Sequence, residues 1–148
     1  MIISFDLDDT LIPTSFKFKV ERQNFLQRIF KIEKIRKGSL VLFNELKRKK
    51  IKIYIYTTSY RSKLRIKTMF LSYGLKVGKI INQQEHNKLV KISCSKYPPK
   101  FNIDIHVDDS VGVQKEGEKY NFKTIIISKE NDYWFDEILT EIDYQLKK

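Results

Sequence analysis

Asp6, Asp8 and Asp9 crowd together after the apolar run "IISF", and Asp108 and Asp109 follow "IDIHV" about a hundred residues later. This happens in a chain of 148 residues with 29 Lys plus Arg against 18 Asp plus Glu. Carboxylates packed so closely repel one another, and burying them is unfavourable unless a cation compensates. An isolated Asp at a strand end reads as a turn cap. Asp-Leu-Asp-Asp-Thr after an apolar run, with a second acidic pair elsewhere, asks for more. Hard oxygen ligands in that number suit Mg²⁺, which binds through a few carboxylates plus a phosphate. A carboxylate not consumed by the metal is free for chemistry.

Spacing supports a shared site. Asp6 and Asp8 are two residues apart, so in an extended chain both point one way while Leu7 points to the core. "IKIYIY" ends in the hydroxyl run Thr57, Thr58 and Ser59. Ligand sites in open parallel sheets lie beyond the carboxyl ends of the strands, and all three polar groups sit at such ends.

The elements that must position them read by period. Five short apolar runs, Ile2–Leu7, Ile51–Thr57, Lys79–Asn82, Ile103–Asp108 and Lys123–Ser128, alternate with longer helical patterns. Several are apolar on both faces, as central parallel strands are. The pattern predicts an α/β fold, Rossmann-like and three-layered, with a mainly parallel five-stranded sheet. Helices are expected over residues 20 to 36, with Phe25, Ile29 and Ile32 on one face, and from Ser39 to Lys50. Others are expected over 60 to 73, 86 to 95 (enclosing Cys94), and from Asp132 onward. The cations of "KRKK" suit a helix C-terminus. "TSFKFKV", Thr14 to Val20, alternates aromatic and cation and predicts an edge strand or hairpin over residues 13 to 20.

"FDLDDTL", "IYIYTTS" and "IDIHVDDS", in this order at successive strand ends, resemble motifs one, two and four of the haloacid dehalogenase superfamily. The resemblance covers nearly the whole chain. It implies a phosphomonoester hydrolase in which Asp6 is the nucleophile and Asp8 the general acid/base. Thr57, with Thr58 as fallback, would bind the transferring phosphoryl group. Asp6, Asp108, Asp109 and the Asp8 backbone carbonyl would hold Mg²⁺. The third motif is a lysine that neutralises nucleophile and phosphate. Family spacing favours Lys88, with Lys91, Lys96 and Lys100 as rivals. The intervals between motifs leave no room for a separate cap, so a small capless member is expected, its open site suited to bulky phosphoesters.

Composition bounds the rest. The net charge of +11 draws the chain to anions, although Lys-rich coding accounts for such a balance equally well. Nucleic acid is thus a candidate partner with no recognised binding motif behind it, and a homo-oligomer stays open. Cys94 is the sole cysteine, so no intramolecular disulfide forms. No apolar run approaches the ~20 residues of a membrane span, and the N-terminal run lacks the basic lead of a secretory signal. A cytoplasmic protein is expected. No Gly-rich phosphate loop and no metal-binding Cys/His spacing is present. A phosphoacceptor signalling module also clusters Asp, Thr and Lys, but with a different order of acids along the chain. His106, alternating with Asp104 and Asp108, reads as a packed strand histidine or a support for the metal site. His86 reads as a helix cap or a lining of the third-motif region, Arg61 as a solvated helix start or a phosphate contact, and Trp134 as packing.

Overall fold

The computed structural model describes residues 1–147. Five strands form one sheet in the order β3-β2-β1-β4-β5, and every pairing is parallel. They are β1 (Ile2–Phe5), β2 (Lys52–Tyr56), β3 (Ile80–Ile81), β4 (Ile105–Asp108) and β5 (Lys123–Ile126). Six α-helices connect them: α1 (Phe25–Ile29), α2 (Ser39–Arg48), α3 (Lys63–Ser72), α4 (Gln83–Leu89), α5 (Val111–Tyr120) and α6 (Trp134–Leu146). This is the expected Rossmann-like α/β architecture, without a separate cap.

Helices cover both faces because the central strands are apolar on both. On one side Phe5 and Leu7 pack with Phe43 and Leu46 of α2, Phe70 of α3, and Trp134 and Ile138 of α6. On the other, Tyr56 and Ile81 pack with Val90, Phe101 and Ile103. Each large apolar side chain so buried contributes about 1.5–3 kcal/mol. β1 is the central strand, and β4 pairs with it from Ile3↔Ile105 to Phe5↔Val107. Asp6 therefore emerges beside Asp108, and the Asp6 N–H still donates to the Val107 carbonyl at 2.8 Å.

Several expected elements are shorter than their patterns. The strands stop one or two residues inside most predicted limits, at either end. The helix expected over 20 to 36 shrinks to the five residues of α1, fixed by a capping box between Asn24 and Gln27. Its apolar face is turned outward: Phe25 and Phe30 are 72% and 71% exposed, while Gln27 is buried and donates to the Ser72 carbonyl. The helix expected over 86 to 95 starts earlier and ends at Leu89, so Cys94 lies in a loop. The hairpin expected over residues 13 to 20 does not form. That stretch is irregular, and its pairing is a single bridge from Val20 to Arg36.

Candidate active site

Asp6 lies one residue beyond β1, with 6% of its surface exposed. Its Oδ1 accepts a hydrogen bond from Lys96 Nζ at 2.5 Å. The same ammonium reaches Asp108 Oδ2 at 3.3 Å and the Tyr56 carbonyl at 2.9 Å, so its three donors are all used. Lys96 is itself buried. The lysine at this centre is thus Lys96, one of the four weighed from sequence. Lys88, favoured by spacing, is exposed on α4 and shares a surface hollow with Lys63 and Glu85. The early end of α4 explains the shift. Residues 90–97 run as a loop that returns to the sheet edge, held by Glu116 of α5, which accepts from the Ser95 and Lys96 amides.

Asp108 is fixed from three directions. Lys96 and His106 Nε2, 3.1 Å away, share its Oδ2, and the Ser110 N–H donates to its Oδ1 at 2.9 Å. His106 Nδ1 lies 2.7 Å from Ser4 Oγ on the neighbouring strand. A carboxylate only accepts, so His106 donates from Nε2 and receives the Ser4 hydroxyl at Nδ1. The two readings of His106 merge: it is packed, and it supports an acid of the site.

The electrostatics follow. Burial pushes Asp6 up to about 6, against the pull of Lys96 and with a further push from Asp108. Burial opposes ionisation of Asp108 as well, but the His106 hydrogen bond and the Lys96 charge outweigh it and hold this acid well below the usual range. Burial would lower Lys96, and the two carboxylates raise it instead. One ammonium cannot neutralise two buried carboxylates, so the better-bonded Asp108 keeps its charge and Asp6 is the one left high.

A further positive charge would relieve that imbalance, and the donor set fits one. Asp6, Asp108 and Asp109 each offer an oxygen, all within 4.8 Å of one another. Thr10 Oγ1 sits between two of them, donating to Asp109 Oδ1 at 3.1 Å and lying 3.4 Å from Asp6 Oδ2. Three carboxylates and a hydroxyl are hard oxygen donors, which suit a hard divalent cation rather than a softer metal. Asp109 also pairs with Lys129 at 2.9 Å. Thr10 belongs to the first acidic motif, and Lys129 follows β5 with nothing in the sequence to mark it.

Asp8 stands apart from this trio. Arg61 Nη1 donates to its Oδ2 at 2.8 Å and the Thr14 hydroxyl to its Oδ1 at 2.6 Å. Arg61 is no solvated helix start. Its other edge binds Glu33 at 2.8 Å, tying the segment before α2 to the site. Asp9 adopts φ 60 and gathers the amides of Thr14, Ser15 and Phe16 on one oxygen. Those amides, with Lys129, lower its pKa against a desolvation that would raise it. Thr57 is buried at the end of β2, its Oγ1 accepting from the Ser59 N–H at 3.0 Å, whereas Thr58 is exposed. His86 is buried 2.5 Å from the Tyr56 hydroxyl, behind the strand that Lys96 bonds.

No family model and no curated protein matches this chain. Among the described residues, no helix is long and apolar enough to cross a membrane.

Proposed function

We propose that the protein is a phosphomonoester hydrolase of the haloacid dehalogenase type, working through an aspartyl-phosphate on Asp6 with Mg²⁺ as cofactor. The observation that carries this reading is the buried Lys96 ammonium between Asp6 and Asp108, with Asp109 close enough to complete a cation site. Catalysis of phosphoryl transfer rests on positioning and charge neutralisation, which Lys96 and a cation held by the three carboxylates would supply.

In the first step a carboxylate oxygen of Asp6 attacks phosphorus and the P–O bond to the alcohol breaks. Lys96 keeps Oδ1 of Asp6 fixed, which directs Oδ2 to the reacting face. Asp8 delivers a proton to the departing oxygen. In the second step Asp8 takes a proton from water, the water oxygen attacks phosphorus, and the bond to Asp6 breaks to release phosphate. Thr57 offers a hydroxyl to the phosphoryl oxygens, with exposed Thr58 as the second candidate. Mg²⁺ bound by Asp6, Asp108 and Asp109, with the Asp8 backbone carbonyl completing the protein's share, would screen the nucleophile from the anionic phosphate.

The test is phosphate release from p-nitrophenyl phosphate with Mg²⁺ and with EDTA, for the wild type and Asp6→Asn. The expected result is metal-dependent turnover by the wild type and none by the variant, which keeps the shape and loses the nucleophile's charge. Turnover by a correctly folded Asp6→Asn protein overturns the reading.

A further inference from the structure

Next to Asp109, on the β5 side, lies a trough that the hydrolytic steps leave unused. Lys129 pairs with Asp109 and also lies 3.5 Å from the centroid of the Phe16 ring. Beyond it, Lys17, Phe18, Lys19 and Lys129 line a surface hollow together with the acids Glu130 and Asp132. That hollow shares Phe18, Lys19 and Asp132 with a cavity of about 420 Å³ backed by Arg36 and Trp134. The hollow and the cavity adjoin at these residues, where Lys19 pairs with Asp132, and the trough they form follows the segment Phe16-Lys17-Phe18-Lys19 from the acidic site toward Trp134.

We infer that this trough binds single-stranded nucleic acid. That it delivers a terminal phosphate to Asp6 rests on the phosphomonoesterase reading above. Single strands are held by cations that track the phosphodiester backbone and by aromatic faces on which bases stack. Rings and cations alternate here in the same order. Phe16 is 50% exposed and Tyr133, at the far end, 72%. Phe18 is held as a platform, because the Arg36 guanidinium lies 4.7 Å from its centroid and 5.0 Å from that of Trp134. Arg36 Nη1 is buried there without a hydrogen-bond partner, so the back of the cavity carries an incompletely satisfied positive group. Lys19 is matched by Asp132, but Lys17 and Lys37 are exposed and have no acidic partner among the described residues.

Other phosphoesters fit the trough less well. A sugar phosphate at Asp6 would meet Lys129 beside Asp109 and leave Lys17, Phe18, Lys37 and Tyr133 unused. An acidic phosphopeptide would use the cations and leave the rings idle. A strand end uses both, and without a cap domain nothing in the fold bars a long chain from the mouth of the site.

The test is fluorescence anisotropy of a short fluorescein-labelled oligothymidylate ending in a 3′-phosphate, a 5′-phosphate or a hydroxyl. It is run in EDTA with the Asp6→Asn protein, so that binding is read without turnover. Phe16→Ser/Lys17→Gln changes two exposed side chains of the trough. Lys47→Gln removes one charge from the C-terminal turn of α2, outside the residues that line the trough. Binding should weaken about tenfold in the first variant, hold in the second, and fall steeply with added salt. Absence of binding, equal weakening in both variants, or equal competition by an acidic phosphopeptide overturns the inference. Metal-dependent hydrolysis of p-nitrophenyl phosphate without oligonucleotide binding removes nucleic acid and leaves the phosphatase reading. Binding in the trough with no hydrolysis of any ester supports the surface and removes the phosphatase reading.

Discussion

Asp6 and Asp8 are two residues apart, and each has a cation of its own on very different terms. Asp6 is paired with Lys96 in a nearly closed pocket, where the side chains are 9% and 2% exposed. Asp8 is paired with Arg61 at the mouth, with side-chain exposures of 31% and 18%. At the mouth, water screens the pair, so its two charges can separate at little expense. In the pocket, desolvation makes every missing partner costly. On the proposed phosphatase reading, the inner pair would suit a fixed nucleophile. The outer pair would suit a group that exchanges partners and protons during the reaction. The linker from Glu33 to Arg61 adds a second difference. The inner cation is anchored by the sheet and α5, and the outer one by the segment that carries α1.

The largest effect should come from breaking the inner pair. Lys96→Met leaves Asp6 and Asp108 buried with no cation between them. We expect loss of about 3–5 kcal/mol of stability without metal, read by urea denaturation. Turnover of p-nitrophenyl phosphate should fall by about a thousandfold, because the electrostatic stabiliser of the attacking group is gone. An unchanged denaturation midpoint would show that the lysine does not carry the pocket.

The pH dependence sharpens the same point. The native pKa of Asp6 lies near 6, above its ordinary 3.8. Between those values the folded state binds more protons than the unfolded state. The Asp6 contribution to stability therefore grows as pH falls from 6 to 4, by at most about 3 kcal/mol. Burial lowers the pKa values of His86 and His106, and they act in the opposite sense as pH falls through their ordinary 6.5. The Asp6 share is consequently the difference between wild type and Asp6→Asn in EDTA, and saturating Mg²⁺ should abolish it. Parallel pH profiles for the two proteins would refute the raised pKa.

Breaking the outer pair should cost less stability and act on catalysis. Arg61→Gln is expected to change stability by no more than about 1 kcal/mol. It should lower kcat by about ten- to a hundredfold through a misplaced Asp8, a range set by general acid–base catalysis. Glu33→Gln should give a weaker version of the same defect. If kcat is unchanged in Arg61→Gln while KM rises, the arginine binds substrate and does not orient Asp8. The smallest effect belongs to Lys88→Ala. That side chain is exposed on α4, and both stability (within about 0.5 kcal/mol) and kcat should match wild type.

The acids were legible because their signal is local. A strand is an apolar run, its carboxyl end is where the run stops, and Asp6, Asp8, Thr57, Asp108 and Asp109 stand at such ends. Lys96 was not separable from its rivals, since a lysine's reach depends on the path of a loop and not on its spacing from Asp109. Arg61 looked solvated because its partners, Asp8 and Glu33, lie 53 and 28 residues away in the chain. The spacing of Phe25, Ile29 and Ile32 predicts one apolar helix face, yet Phe25 and Ile29 are exposed and Ile32 packs against the core. Periodicity locates a stripe but cannot say whether anything covers it, and here hydrogen bonds from Gln27 turn the opposite face inward.

The amino-acid sequence by itself determined the alternation of strands and helices, the parallel sheet and the acidic cluster at its edge. Each of these follows from short-range period and from where polar residues interrupt an apolar run. Tertiary structure alone decided which cation meets which carboxylate. It placed Lys96 inside and Arg61 at the mouth, left Lys88 in solvent, and set Lys129 against Asp109. Those choices depend on how loops close over a packed sheet, where burial, not spacing along the chain, determines how strongly a charge needs its partner.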